Sequence, residues 1–330
     1  MIRRWLPLWT WLAPLIGGAL LASVIAGMHH PALIVALGLG LIACVLAAVH
    51  HAEILAHRVG QPLGSFLLAI AVTIIEVALI AALMVAKPAA TITLARDTVF
   101  AEVMIIVNGM VGLCLILGAS RHREQEFGLF GVSAALATLA TLSVLTLVLP
   151  NVTGTPGPYY SPSHLAFVGV VSLVLYLVFA FVQTVRHPDY FMPVVLAADE
   201  SDDHDHVAPG NLATALSALL LLACLVIVVF GAEDLAPSIE TGLAAAGAPP
   251  AVMGIIIGVI VLLPESLAAL KAALADRLQI SLNLTIGSAL ASIGLTIPTV
   301  AALSLINGWP LALGLGPREM ILLFLSLIVA

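Results

Sequence analysis

The chain returns repeatedly to apolar runs long enough to cross a lipid bilayer, and no other feature limits its possible folds so strongly. A helix rises about 1.5 Å per residue, so roughly 20 residues span a hydrocarbon core of about 30 Å. Runs of this kind lie at 8–28, 31–52, 62–86, 99–118, 128–149, 164–184, 212–231, 251–270 and 282–305. Ala, Leu, Ile and Val dominate them without a period of two, which argues against a membrane β-barrel. Charged residues make up 9% of the chain and the mean hydropathy is +1.19, whereas soluble domains are about 25% charged. The expected fold is an all-α integral membrane protein, with the lipid bilayer as its first partner. A last apolar run begins at Met320 and stops at Ala330. It falls short of the ~20 residues a span needs, so the expectation is a C-terminal helix that continues further.

Several classes drop out. The net charge of −7 and the absence of a basic patch give no surface for nucleic acid. Cys44, Cys114 and Cys224 each sit inside an apolar run, with no Cys-x-x-Cys spacing. They read as small buried hydrophobes rather than as disulfide or zinc ligands. There is no His-Glu-x-x-His motif and no nucleophile–base pair, so an enzyme is not expected and no cofactor is called for. The first apolar run follows Arg3 and Arg4 without a small-residue cleavage site and reads as a retained span.

Loop charges set the orientation. With the N-terminus in the cytoplasm, that side receives Arg3, Arg4, Arg58, Arg121, Arg123, Arg186, Lys271 and Arg277. The far side receives only Lys87, Arg96 and Arg318. This asymmetry obeys the positive-inside rule, which counts Lys and Arg. A cytoplasmic segment at 197–211 concentrates Asp199, Glu200, Asp202, Asp203 and Asp205 with His204 and His206. Such a block is ordinarily a solvated linker; its functional alternative is a surface that gathers divalent cations, which prefer carboxylate oxygens.

Two carboxylates stand inside apolar runs: Glu76 in AVTIIEVALIAAL and Glu265 in VIVLLPESLAALKAAL. An ionisable residue in a membrane segment is costly and marks an ion or substrate path by default. A lone one can still be a structural hydrogen-bond donor, but two in matching positions of the two halves make that reading weaker. Each is followed by a span with small or polar residues four apart, Asn108 and Gly112 in one half, Ser288 and Ser292 in the other. That spacing shares one helix face. Taken singly, small residues are ordinary packing devices at helix crossings. In the assigned orientation the Glu76 span runs outward and the Glu265 span inward, the pattern of an inverted repeat with its site at mid-membrane. A paired carboxylate site would hold protons until a cation replaces them, with Thr73, Asn108, Ser288, Ser292 and carbonyls near Pro264 completing an oxygen shell. The metal-binding carboxylates are thus Glu76 and Glu265.

Weaker candidates surround them. Glu102, six residues before Asn108, is either an accessory cation ligand or an interfacial acid. Glu233, Asp234 and Glu240 read as an acidic set in the outer loop before the Glu265 span. His50, Glu53 and His57 share a helix face, as metal ligands can, although histidines at helix ends are usually solvated.

The segments PESLAALKAALADRLQISLNLTIGSALASIGLTIP, AHRVGQPLGSFLLAIAVTIIEVALIAALM and IIVNGMVGLCLILG together resemble the bacterial calcium/proton antiporters of the cation/calcium exchanger superfamily. The resemblance covers essentially the whole chain. It implies two inverted repeats of five helices, one essential glutamate in each, with Glu76 and Glu265 in those roles and Asn108 and Ser288 beside them. An extra N-terminal helix at 1–30 would bring the count to about ten or eleven. The first repeat would occupy 31–196, the acidic segment 197–211 and the second repeat 212–330. Many relatives carry Gly-Asn-Ala-x-Glu before each glutamate, but here Val72–Glu76 and Val261–Glu265 lack the Gly and Asn. Altered ligands bear on ion choice, so Na⁺ and K⁺ join Ca²⁺ as candidates. The expected activity is export of Ca²⁺ for H⁺ across a bacterial inner membrane by alternating access, with a passive cation channel as the alternative. Channels often use rings of identical subunits, whereas this chain has two unlike halves.

Overall fold

The computed structural model describes residues 6–28, 30–59, 63–86, 91–153, 156–191, 209–249 and 252–330. The acidic segment with Asp199, Glu200, Asp202, Asp203 and Asp205 lies outside them. In chain order the helices are α1 (Leu8–Ile25), α2 (Pro31–Val59), α3 (Leu63–Ala86), α4 (Leu94–Met104), α5 (Val111–His122) and α6 (Leu129–Ser143). There follow α7 (Pro162–Phe181), α8 (Asn211–Ala245), α9 (Val252–Leu274), α10 (Leu278–Ala291), α11 (Ile297–Asn307) and α12 (Pro317–Val329). Among the described residues, 7 helical stretches are long and apolar enough to cross a membrane. Four of them contain a π-helical turn. Leu129–Asn151 and Pro162–Arg186 carry it towards their ends, at Val144–Val148 and Val182–Arg186. Leu94–His122 and Leu278–Asn307 are compound, the turn joining two α-helices, α4 to α5 at Ile105–Met110 and α10 to α11 at Ser292–Thr296.

The chain is all-α, as expected, but several helices outrun their apolar cores. α8 has 35 residues and passes straight through Glu233, Asp234 and Glu240, so these acids belong to a helix and not to a loop. Likewise α2 reaches Val59, beyond the apolar run ending at 52. Helix propensity depends on side-chain entropy rather than on hydropathy, and Ala, Leu and Glu sustain a helix past the bilayer edge.

Contacts divide the chain into two compact units: Met1–Thr91 with Asp205–Met253, and Ile92–His204 with Gly254–Ala330. Neither unit is a half of the sequence; each takes one stretch from either half. In the first unit α2 packs against α1, α3 and α8. Leu21, Val24, Leu37 and Leu41 form a buried core there. Close approach requires Gly17, where a Cβ would lie 2.6 Å from Cys44 Sγ. At the polar end Arg58 donates to Pro209 O (3.1 Å) and Asn211 Oδ1 (2.7 Å), tying the end of α2 to the start of α8.

In the second unit α10 packs against α5 and α6, and α11 against α7. α7 begins at Ser161, whose hydroxyl accepts the His164 amide hydrogen, with Pro162 in the first turn; both are ordinary N-terminal signals. One face of α7 buries Val168, Ser172 and Tyr176, while Phe167, Val170, Val174 and Phe181 stay exposed. Exposed apolar residues three or four apart make a lipid-facing stripe. Just before α7, Tyr160 donates its hydroxyl to Leu145 O (2.6 Å), and burial pushes that hydroxyl's ionisation upward.

Candidate functional site

Glu76 and Thr73 both lie on α3 in the first unit and are 2% and 4% exposed. They are three residues apart, so one face of α3 carries the carboxylate and the hydroxyl together. α3 is a 24-residue helix without a basic residue in its last turn or an acid in its first. The helix packs against α2 and α8.

Glu265 belongs to the second unit, on α9, and is half-buried. The end of α9 is anchored from α5 and the segment after it. The His122 ring Nε2 lies 2.9 Å from Leu274 O, and Gln125 donates to Ala273 O and to Asp276 Oδ1, both at 2.9 Å. Carbonyls left over at a helix end are thereby satisfied. At the same end, Ala269 and Ala273 of α9 pack with Met110 and Cys114 into a shared core. The helix carrying Glu265 is thus fixed against the span carrying Asn108.

Asn108 sits within the π-helical turn at Ile105–Met110 and is exposed. Its amide nitrogen donates to Met104 O (3.1 Å) and to Ser326 Oγ (2.9 Å) on α12. A backbone carbonyl only accepts, so the nitrogen must face Met104. Both amide hydrogens are then committed, and neither bond uses the oxygen Oδ1. Ser326 in turn donates to Leu322 O (2.8 Å). A wide i→i+5 turn is a frequent device at functional sites because it breaks the regular helix ladder. Beside Asn108, Gly109 and Gly112 face open space, with nothing within 4 Å of where a Cβ would stand. These glycines therefore do not serve close packing, the role small residues usually have in membrane helices. An exposed amide with open space beside it, midway along a span, is suited to water rather than to lipid.

Ser292 opens the other compound span's π-helical turn, Ser292–Thr296, and is 4% exposed. Its Oγ donates to Glu102 Oε2. Glu102 itself is 0% exposed and so lies inside the protein. Gly258 of α9 lies against it: a Cβ there would stand 3.1 Å from Glu102 Cγ. Ser288, one turn before Ser292, is only half-buried, and Gly287 next to it faces open space. Of the two serines, Ser292 is therefore the one engaged with a carboxylate.

The histidines on α2 behave differently. His50 Nδ1 and Glu53 Oε2 are 3.8 Å apart, and His57 is exposed. Among the described residues no group of three or more His, Cys, Asp or Glu side chains could hold a metal ion. His51, which the sequence reading passed over, is fully buried, with Nε2 at 3.3 Å from Thr10 O. Ser326, Met104 and Gly258 were also missed. A lone serine in an otherwise apolar run was the available signal for Ser326, while nothing local marks Gly258.

The family described as sodium/calcium exchanger protein matches residues 29–185 and 216–330. A putative ionic transporter of Sinorhizobium fredii, y4hA, is 50% identical over 327 residues, covering 98% of this chain and 88% of that protein. The sodium-potassium/proton antiporter ChaA of Escherichia coli is 36% identical over 280 residues, covering 84% of this chain and 75% of its own. Native YfkE has a similar fold, with a TM-score of 0.70 at 18% identity, covering 96% of this chain and 89% of that one. The H⁺/Ca²⁺ exchanger CAX gives a TM-score of 0.67 at 17% identity, covering 96% and 80%. From its sequence and its all-helical membrane fold, the chain belongs to the sodium/calcium exchanger family and is an antiporter of the cation/calcium exchanger superfamily.

Proposed function

We propose that the protein exports Ca²⁺ from the bacterial cytoplasm in exchange for protons, by alternating access at a site shared by Glu76 and Glu265. The observation that carries the reading is that a membrane-length helix in each sequence half bears a carboxylate at matching positions, Glu76 of α3 and Glu265 of α9. Each helix is followed by a compound span with a π-helical turn, Ile105–Met110 after Glu76 and Ser292–Thr296 after Glu265. That parallel supports two repeats, 31–196 and 212–330, preceded by an extra helix at 1–30 and joined by the acidic cytoplasmic segment 197–211. Membership of an exchanger family supports coupling over a channel.

Ionised on the cytoplasmic side, the two glutamates bind the cation with Asn108, Ser288, Thr73 and Ser292 as neighbouring oxygen donors. Hard cations choose such ligands. After rocking of the repeats, external protons displace the ion and the neutral pair returns. Returning neutral matters because each charge carried across costs about 2.3 kcal/mol per 100 mV. The cation is substrate, and no resident cofactor is invoked. Na⁺ and K⁺ remain candidates beside Ca²⁺: ChaA, at 36% identity, is a sodium-potassium/proton antiporter, and the Gly and Asn before each glutamate are absent here.

The test is cation-driven proton flux in everted inner-membrane vesicles. Glu76→Gln and Glu265→Gln should each abolish it. Retention of flux by both variants would end the paired-glutamate mechanism. Cation flux that runs down its own gradient and is unaffected by an imposed pH gradient would favour a channel.

A further inference from the structure

Among the described residues, the buried carboxyl of Glu102 is not used by the paired site. We propose that Glu102 is a third proton-exchanging carboxylate of the transporter, seated between Ser292 and Gly258 and acting in addition to Glu76 and Glu265. The inference rests on the proton-exchange reading above and adds to it a further proton per cycle.

Three elements converge on this side chain. It stands on α4, inside the compound span Leu94–His122, and is 0% exposed. Ser292, the first residue of the π-helical turn between α10 and α11, gives its hydroxyl hydrogen to Oε2. Gly258 of α9 supplies room on a second side, where a Cβ would come within 3.1 Å of Cγ and 3.8 Å of Oε1. Gly258 and Glu265 are seven residues apart, two turns of the same helix, and so share a face. Glu102 is thus built into the contact between the helix that bears a transport glutamate and a turn where helix register changes. A movement of α9 past α4, or a tightening of that turn, reaches Glu102 directly.

A carboxylate charge in a dry membrane interior costs several kcal/mol. A carboxyl in this seat is therefore neutral when shut in and can ionise only when a conformational step admits water. On opening, its O–H bond breaks, the proton passes to water, and the carboxylate is left accepting the Ser292 hydroxyl. On the opposite side a proton returns from water and the O–H bond reforms. Occlusion and protonation become linked, as any group must be whose proton affinity differs between two states.

Among the described residues, ionisable groups stand on the elements around this seat. Glu265 lies two turns along α9, and Tyr176 of α7 packs against Gly294, two residues past Ser292. The stretch Leu278–Asn307 has no ionisable side chain at all. Earlier on α4, Asp97 is paired with Arg96 at 2.7 Å, and Arg96 also donates to Gly314 O (3.0 Å). On α12, which packs against the turn at Ile105–Met110, Arg318 and Glu319 stand at the N-terminal end.

The experiment uses the full chain in proteoliposomes, with cation and proton fluxes followed in parallel. Glu102→Gln keeps the shape and a partner for Ser292 but removes the exchangeable proton. The expected result is continued cation transport with one fewer proton moved per cation, and a shallower dependence of rate on pH; Glu102→Asp should restore both. Unchanged stoichiometry and pH profile in Glu102→Gln would overturn the proposal. In the same series Glu76→Gln and Glu265→Gln report separately on the paired site, so the two failures are distinguishable. Should Glu102→Gln not assemble, labelling of the wild-type protein with a hydrophobic carbodiimide decides instead. Modification mapped to Glu102 and faster at acidic than at alkaline pH supports the proposal; modification independent of pH, or none at Glu102, overturns it.

Discussion

Asn108 commits both amide hydrogens to its own protein, to Met104 O and Ser326 Oγ, and keeps Oδ1 outside those bonds. An amide held this way presents an acceptor of fixed direction, which is what a hard cation needs from a neutral ligand. Asn108→Ala should raise the cation concentration for half-maximal flux by roughly tenfold, about 1.4 kcal/mol for one oxygen ligand. Initial rates in vesicles measure it, and an unchanged half-maximal concentration would remove Asn108 from the site. Ser326→Ala should give a smaller shift in the same direction, because it loosens the amide without deleting the oxygen. Glu76, Asn108 and Ser292 were legible in the sequence since each is a polar residue inside an apolar run, and membrane burial makes that a costly exception. Gly258 and Ser326 were not. Their importance comes from what they touch across long separations in the chain, Glu102 and Asn108 respectively, and local pattern carries no trace of such contacts.

At the scale of the elements, length and apolarity placed the helices well and their ends poorly. The run expected at 99–118 is the compound span Leu94–His122, and that expected at 282–305 is Leu278–Asn307. Ends are set by capping and tertiary anchors, such as the hold of His122 and Gln125 on the last carbonyls of α9. The π-helical turns were not legible, since a one-residue change in hydrogen-bond register leaves composition untouched. The turn at Ser292–Thr296 depends on Gly294, where a Cβ would collide with the Tyr176 side chain of α7. Gly294→Val should therefore lower stability in detergent by about 1–3 kcal/mol, the usual cost of overpacking a filled contact. A thermal unfolding midpoint equal to that of the unmodified protein would show that α7 yields at no cost.

Over the whole molecule, the amino-acid composition settled the solvent before any residue was considered: a chain with 62% hydrophobic residues and 9% charged ones belongs in lipid. The compact units were less obvious, since each combines stretches from both sequence halves. With most Lys and Arg on the cytoplasmic side, a reporter fused to the N-terminus should stay in the cytoplasm. Protection of that reporter in intact cells and its exposure in everted vesicles would check this; the reverse pattern would invert the direction of transport proposed here. The central claim is coupling, and it is tested most directly by imposing a pH gradient on proteoliposomes that begin with equal Ca²⁺ on both sides. An exchanger must then drive Ca²⁺ uphill, so the account predicts accumulation above the starting level in the protein-containing vesicles and none in Glu76→Gln or Glu265→Gln. If Ca²⁺ stays at its equilibrium level while the pH gradient persists, the account is contradicted.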